Sequence, residues 1–328
     1  MSKRTLAVRK ASYKIAGTFR ISREARTTAH TVIVEIDDGG VRGRGECTPY
    51  KRYGETVESV IDQIEALRIE IEAGLDKARL QTAMPPGAAR NAIDCALWDL
   101  EAKRDGRTAA DIAGLAPLKP TPTAFTLSID TPDAMAAKAA YVRRPLLKLK
   151  LAGDGADTAR INAVANAAQD AKFILDANEA LDLPALDDLV AALPQGRIAL
   201  IEQPLPADAD DALNGFSPPA PLCADESFHD SAGIPKLADK YQAVNIKLDK
   251  TGGLTEALKA AEAAKAKGLT IMAGCMLASS LAMAPAFLLS SYADYLDLDG
   301  PLLLAEDFEP PIRYEGALMH PAETALWG

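Results

Sequence analysis

From about residue 121 onward, hydrophobic and polar positions follow a repeating pattern. Short β-rich apolar runs end on polar residues, and alanine-rich stretches of helical period, such as DAMAAKAAYVRR and LTEALKAAEAAKAKG, follow them. TAFTL precedes Ser128, and LLKLK closes on Lys148 and Lys150. KFILD, IALIE and PLCAD close on Asp176, Glu202 and Asp225. AVNIK closes on Lys247, LTIMAG precedes Cys275, and ADYL precedes Asp297 and Asp299. From Lys150 to Asp176 is 26 residues, from there to Glu202 is 26, to Asp225 is 23 and to Lys247 is 22. One strand, loop and helix need about that length. The pattern predicts an α/β fold, a TIM-like (β/α)7β barrel. Function is expected at the C-terminal strand ends, where each of these polar residues lies.

Residues 1–118 read differently. Thr31–Ile36 predicts a strand, DDGG a turn and VRGRGEC a return strand. Helical patterns follow from about Glu55 to Ala73 and from about Gly87 to Lys103, the second with Ala92, Ala96, Leu97 and Leu100 on one face. Strands followed by helices make a small α+β unit, and Pro117, Pro120 and Pro122 mark its end. Residues 119–305 then form the barrel. A tail, 306–328, has no helical period, carries a strand around Ile312 to Tyr314 and returns to the first unit.

Composition narrows the class of function. The 328 residues, with 48% hydrophobic and 25% charged, describe an ordinary globular protein. A formal net charge of −10 argues against nucleic acid or an anionic membrane as partner. No apolar run reaches the length of a membrane span, and Leu281–Leu289 reads as a buried helix. The basic N-terminus, MSKRTLAVRKASYKIAG, lacks the apolar stretch of a signal peptide. Cys47, Cys95, Cys223 and Cys275 are scattered without metal-ligand spacing, which fits reduced thiols and a cytoplasmic location.

The strand-end residues suggest a chemistry. Three carboxylates suit a hard divalent cation such as Mg²⁺. Lysines on both sides of such an ion suit removing a proton from one face of a carbon and returning one to the other. Side chains alternate along a strand, so Lys148 and Lys150 share a side, as do Asp176 and Asn178, Asn245 and Lys247, and Asp297 and Asp299. As bases the lysines need an accessible neutral form, which a neighbouring cation and burial both favour. Glu226 is expected to orient Lys247 or its surroundings rather than bind metal. With only His30, His229 and His320 in the chain, a zinc hydrolase has little support and Cys275 lacks an activating partner.

The motifs KLK, DAN, EQP, ADES and NIKLDKTGG, in this order and spacing, resemble the enolase superfamily, muconate-lactonising subgroup, over nearly the whole chain. Within it, AARNAIDCALWDL, NIKLDKTGGLTEAL, GCMLASS and DLDGP are similar to the dipeptide epimerases. The resemblance implies a capping domain over residues 1–118, with GRGECTPYKRYGE closing over the site. It implies one Mg²⁺ per subunit on Asp176, Glu202 and Asp225, and Lys150 and Lys247 as the two acid/base groups. Lys148 would hold the substrate carboxylate and tune Lys150. Asp297 and Asp299 would hold the free amino group of a dipeptide. Thr126, Cys275, Met276 and Leu277 would line the pocket, with Asn178 and Glu226 in support. Among Arg20, Arg23 and Arg26, the pair Arg23 and Arg26 fits best as the partner of an acidic substrate side chain.

The implied activity is epimerisation of L-Ala-L-Glu and L-Ala-D-Glu, a dipeptide of cell-wall peptide recycling. Alternatives are a dipeptide epimerase of other specificity, or a cycloisomerase or o-succinylbenzoate synthase-type lyase on the same scaffold. A barrel that binds without catalysis is the third. A homo-oligomer is compatible with the sequence.

Overall fold

The computed structural model describes residues 4–194 and 196–328; the first three residues of the basic N-terminal stretch lie outside them. Three antiparallel strands open the chain: β1 (Thr5–Ile21), β2 (Glu24–Asp38) and β3 (Val41–Cys47), in the order β1-β2-β3. The hairpin turn is Gly39–Gly40, both with positive φ, and the register pairs Asp38 with Val41. β1, unforeseen in the sequence, is the longest strand. Its burial alternates only loosely, with Lys, Arg and Ser on the exposed side, so the hydrophobic pattern that signals a strand is diluted.

The helix Ala88–Asp105 lies on this sheet and is buried along most of its length. Glycine is required beneath it. A Cβ at Gly43 or Gly45 would lie 2.1 Å from a carbonyl oxygen of Ala96 or Ala92. The expected helix from Glu55 to Ala73 is two helices, Val57–Ala66 and Arg68–Glu72. The first opens with a capping box between Thr56 and Ser59.

After a two-residue strand β4 (Thr121–Pro122), eight parallel strands follow: β5 (Phe125–Leu127), β6 (Leu146–Lys150), β7 (Lys172–Asp176), β8 (Ile198–Glu202), β9 (Leu222–Ala224), β10 (Ala243–Ile246), β11 (Thr270–Gly274) and β12 (Tyr295–Asp297). They pair in sequence order, and a parallel bridge from Thr123 to Leu296 brings the ends of the sheet together. The period-two pattern separates two cores. Leu147, Leu149, Phe173 and Leu175 face the surrounding helices, whereas Ile174, Leu200, Cys223, Ala243 and Met272 fill the barrel interior. On β6 and β7 the inward positions continue upward to Lys148, Lys150 and Asp176.

One crossover departs from the expected unit. Between β8 and β9 only a 3-10 turn, Asp210–Leu213, replaces a helix. Pro204, Pro206, Pro218, Pro219 and Pro221 explain this, because proline supplies no amide donor and clashes within a helix.

The tail makes a hairpin of β13 (Tyr314–Glu315) and β14 (Leu318–Met319), which pairs with β4 rather than with the capping sheet. Its last residues do reach the capping helix. Trp327 Nε1 donates to Cys95 O at 3.1 Å, and Gly328 N to Asp99 Oδ1 at 2.6 Å. Among the described residues no helix is long and apolar enough to cross a membrane.

Candidate active site

Adjacent parallel strands place the chemistry side by side. Lys150 is in register with Asp176, and Asp176 with Glu202. Asp176 and Glu202 are fully buried, and Asp225, just past β9, is 2% exposed. Lys148 Nζ lies 3.0 Å from Asp176 Oδ2, 2.7 Å from Glu202 Oε2 and 2.7 Å from Asp297 Oδ2. Lys150 Nζ lies 2.5 Å from Asp176 Oδ2, and Lys247 Nζ 2.7 Å from Asp225 Oδ2. The two lysines are therefore tied to different carboxylates.

These contacts set the protonation. Burial raises Asp176, but Lys148, Lys150 and Lys247 outweigh it and hold the carboxyl well below its ordinary range. Burial likewise opposes Lys247 and Lys250 at Asp225, and again the lysines win. Glu202 is pushed up to about 8 by burial and by Asp176. Asp299 is pushed up to about 7 by burial and by Asp297. Lys148 and Lys247 both shift upward. Burial lowers both, but their carboxylate partners outweigh it and raise them. Lys250, on the other side of Asp225, is lowered by burial.

The donor set suits a hard cation. Three carboxylates meet at one barrel end, and Glu202 Oε2 is buried without accepting a hydrogen bond, although Lys148 stands near it. Among the described residues no three acidic, His or Cys side chains already stand in ligand geometry. Each of the three carboxylates bonds or faces a lysine instead.

Two adjoining cavities lie over this end. Lys150, Lys247, Phe19, Cys275, Met276 and Leu277 line both. The first extends past Glu24 and Arg26 of the capping unit and is walled by Thr48, Tyr50 and Tyr53 from GRGECTPYKRYGE. The second extends to Thr126, Lys148, Asp297 and Asp299. Thr126 N donates to Asp299 Oδ2 at 2.5 Å. Burial pushes the Cys275 thiol up, consistent with a wall residue rather than a nucleophile.

The capping arginines separate. Arg26 lines the cavity, 2.5 Å from Glu24 and over the Tyr50 ring. Arg23 instead joins Glu226 at 2.7 Å, Glu179 at 2.9 Å and the Asn178 carbonyl at 2.6 Å. Neither cavity is lined by Arg20. Glu226 accepts from Arg23 at 2.7 Å and from Asn178 Nδ2 at 3.4 Å, and it lines the first cavity together with Lys247. Asn178, at φ +44°, has already left the strand; its amide N donates to Asp176 Oδ1 at 3.0 Å.

Three residues with no role assigned to them from the sequence support the site. Gln203 accepts from the amides of Asp225 and Ser227 at 2.9 and 3.0 Å, fixing the loop after β9. Its place in the EQP motif was the available signal. Asn245 donates to Glu202 Oε1 at 2.7 Å. Lys250, inside NIKLDKTGG, bonds Asp225 Oδ1 at 2.5 Å.

Known proteins share this architecture. Residues 3–114 match the mandelate racemase / muconate lactonizing enzyme N-terminal domain, and residues 134–325 the enolase C-terminal domain-like family. The L-Ala-D/L-Glu epimerase of Escherichia coli is 43% identical over 97% of this chain and 99% of its own. The N-acetyl-D-glutamate racemase of Pseudoalteromonas is 47% identical over 90% and 95%. An enolase family member from Agrobacterium tumefaciens with homology to dipeptide epimerases, solved with sodium and L-Ala-L-Glu, is 50% identical with a TM-score of 0.96 over 99% of this chain and 100% of its own. A dipeptide epimerase from Enterococcus faecalis, solved with Mg and L-Leu-L-Tyr, is 29% identical with a TM-score of 0.90 over 98% of each. The chain belongs to the enolase superfamily, in its mandelate racemase/muconate lactonizing enzyme family, alongside the dipeptide epimerases.

Proposed function

We propose that this protein epimerises the glutamate α-carbon of L-Ala-L-Glu and L-Ala-D-Glu by a 1,1-proton transfer between Lys150 and Lys247. The observation that carries this reading is the shared lining. Both lysines border both cavities, one of which ends at Arg26 and the other at Asp297 and Asp299. A dipeptide fits that axis by charge. Its acidic side chain meets the arginine end and its ammonium the aspartate pair. The α-carbon then falls between two bases, each of which takes a proton from one face or returns one. Asp176, Glu202 and Asp225 would hold Mg²⁺. When bound, the ion supplies positive charge beside the carboxylate whose α-proton leaves and offsets the acids that hold Lys247 protonated.

The relatives support this reading through the dipeptide named with the Agrobacterium protein and the activity of the E. coli enzyme. Recycling of cell-wall peptides would supply such a substrate. A second reading is racemisation of N-acetylglutamate. It is favoured by the 47% identical racemase and by Lys148, which already compensates Asp297 at 2.7 Å and so weakens the call for an ammonium.

Incubation with Mg²⁺ in D₂O, followed by NMR, tests both. Loss of the Glu α-proton from L-Ala-L-Glu with appearance of the L,D diastereomer is the expected result. Exchange confined to N-acetylglutamate would replace the first reading with the second.

A further inference from the structure

We propose that Lys250 is a positioning residue for the Lys247 half of the reaction, an inference that rests on the two-lysine reading above. Its side chain is fully enclosed and lines neither cavity. The ammonium has three acceptors: Asp225 Oδ1 at 2.5 Å, the Asp225 carbonyl oxygen, and the Asn245 carbonyl oxygen at 3.1 Å. Those three bonds use all of its donors, so it has none to offer a substrate.

What it fixes is Asp225. One carboxylate oxygen is taken by Lys250, and the other faces Lys247 at 2.7 Å. The carboxylate acts as a strut between two ammonium groups. Its backbone is pinned at the same time, through its carbonyl, which accepts from Lys250, and through its N–H, which donates to Gln203 Oε1. Lys150 leans on Asp176 instead, and no contact links Lys250 to Asp176. Lys250 therefore reaches Lys247 through one shared carboxylate and has no such shared contact with Lys150. A buried cation is expensive to keep, and an apolar side chain of similar size often serves stability as well. The asymmetry of its contacts gives this lysine a purpose that packing does not.

The test is Lys250→Met in the full chain with Mg²⁺, its fold checked by circular dichroism. Initial α-proton exchange in D₂O is measured separately from L-Ala-L-Glu and from L-Ala-D-Glu. Each base serves one face, so exchange should fall about tenfold or more from one epimer, in line with other residues that orient a ligand from behind, and far less from the other. An equal loss from both, or none, overturns the proposal. Should the wild-type protein exchange neither epimer, the epimerase reading falls. The strut is then decided by urea denaturation of metal-free Lys250→Met, Asp225→Asn and the double variant. Coupled changes support it and additive ones overturn it.

Discussion

The Arg23 guanidinium reaches from the capping hairpin to Glu226 at the barrel mouth, Nη2 to Oε1 at 2.7 Å. This bond joins two units across a site that both must build. Burial, together with Asp225 and Asp176, raises the Glu226 carboxyl, and Arg23 opposes that. Arg23→Ala should lower stability by about 1–3 kcal/mol, because it leaves a buried acid without its charged donor. It should also speed proteolysis within residues 20–26. Glu226→Gln should cost less, since the amide can still accept. Equal urea midpoints for wild type and Arg23→Ala would show that the bond does not hold the cap.

Lys150→Ala and Lys247→Ala should each reduce epimerisation by about 10²–10⁴-fold, the range for a lost acid/base group. Each should keep α-proton exchange from one epimer only, and the retained epimer should differ between them. NMR in D₂O reads both quantities. Full epimerisation by either variant would end the two-base mechanism.

Mg²⁺ should raise the melting temperature, by the equivalent of about 2.7 kcal/mol at a hundredfold excess over Kd. EDTA should reverse the rise. Asp176→Asn and Glu202→Gln should abolish it, which differential scanning fluorimetry can follow without any substrate. A rise that survives both substitutions would move the ion elsewhere.

Stability should also depend on pH through two acids between cap and barrel. Burial pushes Asp249 up to about 7 and Asp94 up to about 6, from an ordinary 3.8. The unfolded chain loses these protons first. The stabilisation is therefore complete below pH 3.8 and is lost as pH rises through 6 and 7. Asp94 accepts from Thr255 N, Thr255 Oγ1 and Gln81 Nε2. Asp94→Asn should remove its share of that slope, on the order of 3 kcal/mol between pH 4 and 7. Parallel pH curves for the two proteins, from urea unfolding, would contradict this.

The barrel was legible because each strand ends on a chemically distinct residue and recurs at the length of a βα unit. Asp176, Glu202 and Lys247 needed only that regularity to be placed at one end. What stayed hidden depends on contacts between distant segments. β1 went unseen because Lys and Arg on its exposed side dilute the alternation that marks a strand. Lys250 carries no signal in the sequence that sets it apart, and only the fold turns it beneath Asp225. The bond from Arg23 to Glu226 stayed hidden because Arg23 approaches from a hairpin over two hundred positions upstream. The proline-rich stretch after Glu202 kept the spacing of a helical unit without forming one.

Gly274 on β11 lies directly against Asn245 on β10. A Cβ at Gly274 would stand 2.3 Å from Asn245 Oδ1, the amide whose nitrogen holds Glu202. A side chain at 274 would force that amide to shift, and with it the orientation of a carboxylate on a third strand. Descent should therefore treat the two positions as one heritable character. Lineages that keep Asn245 should keep Gly274, and a change at the second should be found only where the first has already shrunk.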